Sequence, residues 1–194
     1  MRNGMLRILL ALGVPMLGAC TAWQVVEESV STVPQSRYAI SLPKGWMRSA
    51  LRDDRLLVTR DGIAIQYIEV SSLEPADAFA KTVKQSKKKI GSDLLPEQLA
   101  ELTLAELQAT QSMGTVSVIE NAPATVAGHP AFRLHVQYKT AKGLRIEELI
   151  YGMQDGKRVL RAGYRAPTLH FFTRDLGTFE EVVRTLRSSE VAGK

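Results

Sequence analysis

Phe132, Leu134, Val136 and Tyr138 alternate without a break with Arg133, His135, Gln137 and Lys139. Successive side chains of a strand point to opposite faces, so this run makes a strand with one apolar face and one polar face. A strand over 116–120 precedes it, and 122–126 leads into a turn at Ala127-Gly128. Two more strands follow, over 144–151 and 159–166, entered through the turn dipeptides Lys142-Gly143 and Asp155-Gly156. Consecutive strands on tight turns predict an antiparallel meander, because parallel neighbours need a crossover of roughly a dozen residues or more.

The first half adds strands and helices. Tyr38, Ile40 and Leu42 alternate before a turn at Pro43-Lys44-Gly45 that leads into Trp46. Residues 56–60 and 63–70 flank Asp61-Gly62, a dipeptide suited to a two-residue type I′ hairpin turn. Pro75 suits a first helical position, and Ala76, Phe79, Ala80 and Val83 form a stripe with Lys81, Lys84 and Lys87 to Lys89 outside it. Pro96 opens a second helix in which Leu95, Leu99, Leu102 and Leu107 share a face, and Gly114 ends it. Pro167 stops the last strand. A final helix is predicted from Thr178, where Thr178-Phe179-Glu180-Glu181 reads as a capping box, with Phe179, Val182, Val183 and Leu186 on one side. The expected class is α+β: a mainly antiparallel sheet between helices, an α/β/α sandwich.

The amino terminus is a secretory leader: Arg2 and Arg7, then an apolar run over 8–17, then small residues. The run is too short to span a bilayer, which takes roughly 20 apolar residues. Leu17-Gly18-Ala19-Cys20 resembles the lipobox of bacterial lipoproteins, and the one cysteine of the chain stands where that motif requires it. The resemblance implies cleavage after Ala19, a covalent lipid on Cys20 and, with Thr21 rather than Asp next, an outer-membrane destination facing the periplasm. The expected organisation is a signal peptide over 1–19, a lipidated tether over 20–36 that has room for one helical turn, and a globular domain over 37–190, frayed from Ser188 onward.

Composition closes several chemistries. Once Arg2 and Arg7 leave with the leader, 23 basic residues face 20 acidic ones, a net +3 that gives no reason to expect a nucleic-acid partner. With Cys20 acylated no thiol remains, so the folded part has no disulfide, no cysteine metal site and no cysteine nucleophile.

The order Ala127-Gly128-His129-Pro130-Ala131-Phe132, a strand, Gly143, a strand ending in Tyr151-Gly152, a strand ending in Ala166-Pro167, and then 172–187 is similar to the PsbP-like superfamily. That group includes the extrinsic P protein of photosystem II, a Ran-binding Mog protein and bacterial lipoproteins of the DcrB type. Tyr38 to Trp46 also suits its opening strand and turn. The resemblance covers residues 37–187. It implies an antiparallel sheet between helices and a binding or assembly role, and it brings no catalytic residues.

A search for chemistry finds little. His129, His135 and His170 lack ligand spacing on one element. Serine sits in no nucleophile elbow, and Gly62, Gly128 and Gly143 are turn glycines rather than a phosphate loop. Glu147 and Glu148 are strand neighbours facing opposite ways, Glu180 and Glu181 suit a helix start, and Asp53 and Asp54 are loop acids. Lys84, Lys87, Lys88 and Lys89 offer an anionic-surface contact or a solvated helix end. Trp46, Phe171 and Phe172 are core or pocket aromatics. The expectation is a non-enzymatic envelope lipoprotein held by its lipid anchor. It binds or assembles an envelope protein or lipid and uses no cofactor or metal beyond the lipid on Cys20. Two alternatives stay open: a hydrolase of envelope polymers or lipids with acids gathered from distant loops, and a carrier of a small apolar ligand.

Overall fold

The computed structural model describes residues 22–87, 90–91, 93–110 and 115–189. The lipobox residues Leu17, Gly18, Ala19 and Cys20 lie outside the described residues, as do Lys88 and Lys89.

Eight strands form one antiparallel sheet in the order β1-β4-β5-β6-β10-β9-β8-β7: β1 (Trp23–Val25), β4 (Met47–Ser49), β5 (Arg55–Thr59), β6 (Tyr67–Leu73), β10 (Arg158–Pro167), β9 (Arg145–Asp155), β8 (His129–Lys139) and β7 (Ser117–Val126). A second, three-stranded sheet runs β11 (Arg187–Ser188), β3 (Tyr38–Ser41), β2 (Val30–Thr32). The meander from β7 to β10 is the part that the alternation predicts. Ala127 and Gly128 take φ of 50° and 80°, the left-handed pair that a type I′ turn needs. Pro123, which cannot donate to a ladder, sits in the edge strand β7.

Helices cover both faces. On one, α1 (Pro75–Ala78), α2 (Ala80–Ser86) and α3 (Pro96–Thr110) bury Phe79, Leu99 and Ala100 against Phe132, Leu134, Val136 and Tyr138. On the other, α4 (Thr173–Arg184) and the small sheet bury Phe172, Phe179, Val182, Tyr38 and Ile40 against Leu56, Ile68, Leu149 and Tyr164. Trp46 belongs to this second core, as Phe172 does, with Phe171 partly buried beside them. The two cores together make the α/β/α layering.

Four expectations shift. The segment over 22–36 contributes two strands and no helical turn: β1 pairs with β4 and β2 with β3, so ordered structure begins ahead of Arg37. The carboxyl end stays paired through Ser189, whose backbone N–H and hydroxyl both donate to the Arg37 carbonyl at 2.7 and 2.6 Å. The hairpin at Asp61-Gly62 exists, but its loop runs over 60–66, since pairing stops at Val58↔Ile68. The Thr59 hydroxyl closes that loop, accepting from the Gly62 N–H at 3.0 Å and donating to the Gln66 carbonyl at 2.5 Å, and Ile63 and Ile65 stay exposed. Finally, α4 starts at Thr173, so Thr178 lies within the helix rather than capping it. Gly177 costs a helix interior about 1 kcal/mol relative to alanine, and burying Phe172 and part of Leu176 outweighs that.

Candidate functional site

Strand alternation sorts the two faces of β6, β9 and β10. Ile68, Val70, Leu149, Leu160, Ala162 and Tyr164 point toward α4 and are apolar or aromatic. On the opposite face the same strands present Tyr67, Glu69, Ser71, Glu148, Arg161, Gly163 and Arg165, which an apolar core does not tolerate unpaired. The polar row meets α1 and α3 across a cleft of about 300 Å³, with Arg55, Glu69, Glu148, Arg161 and Gly163 on its floor and Asp77, Thr103 and Glu106 on its roof.

Register explains the shape. Gly163 stands opposite Glu69 on β6 and Ile150 on β9, so the middle of the floor has no side chain. An added Cβ there would meet Ile150 Cγ1 at 3.7 Å and Glu148 Oε1 at 4.0 Å, ordinary contacts, so a larger side chain would occupy the cleft itself.

Most of the charges are tied. Arg55 donates to Asp54 at 2.5 Å and to Glu69 at 3.0 Å. Glu106 accepts from the backbone N–H groups of Lys81 and Thr82 and from the Thr82 hydroxyl, which holds α2 to α3. Tyr138 donates to Glu148 at 3.0 Å, and Arg165 lies over the rings of Tyr67 and Tyr138. Arg161 differs: its guanidinium lies 5.5 Å from the Phe79 ring centre and forms no ion pair among the described residues. The Thr103 hydroxyl, on a residue 1% exposed, also has no hydrogen-bond partner among them.

Burial sets the proton affinities. It pushes the Glu148 carboxyl above the ordinary glutamate range although Arg165 pulls the other way. It lowers Arg161 despite the surrounding carboxylates of Glu69, Glu148 and Glu106. Tyr67 and Tyr138 are raised, again chiefly by burial. Two guanidinium groups, of Arg55 and Arg161, thus share the cleft with four carboxyl groups, of Glu69, Asp77, Glu106 and Glu148. An arrangement of this kind offers hydrogen-bond donors and acceptors in close proximity.

The sequence-predicted candidates lie elsewhere. His135 pairs with Glu147 at 2.8 Å and stacks on Phe172 at 5.1 Å, on the α4 side. Glu147 and Glu148 therefore serve opposite faces, as strand geometry requires. His129 meets Tyr38 edge-on and His170 is exposed with φ of 70°. Among the described residues no group of three His, Cys, Asp or Glu side chains is placed to hold a metal ion. Lys84 and Lys87 are exposed at the end of α2, where Lys87 takes the left-handed conformation that ends the helix. Glu181 pairs with Arg184 within α4. Sequence reasoning missed the cleft because its residues come from six elements. The signal available was local: Glu69, Glu148, Arg161 and Arg165 are charges inside strands whose neighbours are apolar.

No family model matches the chain, and no curated protein matches it in sequence. Solved structures match it in shape. The solution structure of cyanobacterial PsbP (CyanoP) from Synechocystis sp. PCC 6803 aligns with a TM-score of 0.56 at 11% identity, covering 91% of this chain and 98% of that one. An alanine variant of the protein Mog1 aligns with a TM-score of 0.53, also at 11% identity, covering 82% and 96%. These likenesses establish the PsbP-like fold.

Proposed function

We propose that this PsbP-like chain is a lipid-anchored binding module of the cell envelope, without catalytic activity of its own, and that its working site is the cleft between the sheet and α1 and α3. One observation carries the reading: a cleft of about 300 Å³ is bordered by the Arg161 guanidinium, which forms no ion pair among the described residues, and by the buried Thr103 hydroxyl, which has no hydrogen-bond partner among them. A buried polar group left unpaired costs about 1–3 kcal/mol, so a guest that hydrogen-bonds the Thr103 hydroxyl is favoured there, with Arg161 as a further donor on the same wall. The guest is small and polar. The charged lining disfavours the apolar ligand of a simple carrier, which needs an apolar wall. The anchor part of the proposal rests on Leu17, Gly18, Ala19 and Cys20. Among the described residues no helix is long and apolar enough to cross a membrane. The outer membrane is the proposed address, on the strength of Thr21.

A photo-reactive residue at Leu107, on the cleft wall, tests the site in living cells. The expected result is one dominant crosslinked species that disappears when Gly163→Leu fills the floor. A crosslinking pattern indifferent to Gly163→Leu would remove the cleft from the account.

A hydrolase has one observation in its favour, the shared cleft of Glu69 and Glu148 with the latter raised by burial. Binding accounts better for the arrangement, because Arg55 holds Glu69 and Tyr138 holds Glu148. Turnover of an envelope glycan or lipid that is lost in Glu148→Gln would reverse that preference.

A further inference from the structure

We infer that the loop between β4 and β5 is the surface this protein lays against the lipid bilayer, with Leu51 as its apolar contact and Arg52 beside it on the headgroup phosphates. The inference rests on the lipid at Cys20 proposed above and adds how the domain sits on the membrane.

Chain length makes the argument. Cys20 stands two positions before Ala22, and an extended chain covers at most about 3.6 Å per residue, so the chain allows at most about 7 Å between them. Ala22 is pinned to the sheet. Its carbonyl accepts the Ala50 N–H at 2.9 Å, and the next three residues pair in register as Trp23↔Ser49, Gln24↔Arg48 and Val25↔Met47. The lipid therefore enters the bilayer beside the residue that precedes Leu51.

The surface there fits that neighbour. Leu51 is 75% exposed, Arg52 is exposed with no ion-pair partner among the described residues, and Trp23 is half-buried on the adjoining strand. An aliphatic tip at the acyl boundary, a guanidinium at the phosphates and an indole at headgroup level are the features of an interfacial contact.

A competing patch shows that the anchor decides the orientation. Leu169, 85% exposed, and Leu144 lie with Lys139, Arg145 and His170 around a shallow depression. The register places that patch at the other end of the sheet. Val25 pairs with Met47 and Met47 with Thr59, toward the end that carries Tyr67, Arg165 and Pro167, whereas Ala22 points the opposite way. A lipid held beside Ala22 turns Leu51 to the membrane and Leu169 to the aqueous side.

The test uses the full lipidated protein in vesicles of phosphatidylcholine and phosphatidylglycerol. Cys20 is the one cysteine and is blocked by its lipid, so Leu51→Cys and Leu169→Cys each supply a single thiol for a nitroxide label. The expected result is a ratio of oxygen to nickel-chelate accessibility several-fold higher at position 51 than at 169. Equal ratios, or a higher ratio at 169, with the lipid confirmed on Cys20 by mass, would overturn the orientation while leaving the anchor in place. A protein that carries no lipid and stays in solution would overturn both.

Discussion

Gly152 has no room for a side chain. An added Cβ would overlap Phe132 at Cε1 and come within 2.6 Å of Cζ, and that ring is 1% exposed in the core under α3. A buried ring cannot swing aside, so Gly152→Ala is expected to cost about 1–3 kcal/mol, the usual penalty of overpacking. A urea titration checks it, and an unchanged midpoint would refute the packing described. Glu148 gives a pH-dependent counterpart. Its folded-state pKa is raised above the ordinary value of 4.5 by burial. The folded state therefore prefers the neutral acid, and stability declines as pH rises through that raised value. Glu148→Gln keeps an acceptor for Tyr138 without the charge. The variant is expected to melt above the parent at neutral pH, with the gap closing as pH falls to 4.5 and below. A gap that widened on acidification would contradict the burial cause.

At the level of elements, α4 is stapled to the 60–66 loop by charge. Asp175 is buried in the first turn of α4, where the helix dipole favours a negative group, and accepts from Arg60 at 2.9 Å and from Arg174 at 2.9 and 2.5 Å. Arg174 also reaches Asp61, which it holds below the usual carboxylate range. Asp175→Asn is expected to lower unfolding stability by about 2–3 kcal/mol, since bonds to a charged group are the stronger kind. Thermal unfolding measures that loss, and a shift within error would mean the ion pairs are replaced by solvent. Elements written in local chemistry were legible beforehand: the alternation of β8, the left-handed pair Ala127-Gly128, and Pro75 and Pro96 opening α1 and α3. Elements that depend on distant partners were not. Strands β1 and β2 are three residues each and exist through β4 and β3, and the start of α4 depends on buried Phe172. The cleft was illegible for the same reason, because Arg55, Thr103, Glu148 and Arg161 meet only when the sheet and α3 pack.

For the whole molecule, one sheet separates two environments. The α4 side is an aromatic core built on Tyr164, Phe172 and Phe179, with stacked rings 5.4 Å apart at the first pair. The α1–α3 side is apolar under β8 and charged under β6 and β10, where the cleft proposed as the binding site lies. The aromatic packing thus lies on one face and the proposed recognition site on the other. With the proposed lipid on Cys20, a domain whose first strand begins three residues later would have little freedom to drift from the membrane, its reach set by the anchor rather than by a long tether. That account depends on covalent attachment at a single position, and the mass of the intact mature protein purified from membranes measures it directly. The account predicts a chain that begins at Cys20 and carries the added mass of a diacylglyceryl group, with or without a further acyl chain. A mature chain that begins elsewhere, or one with an unmodified Cys20, would contradict it.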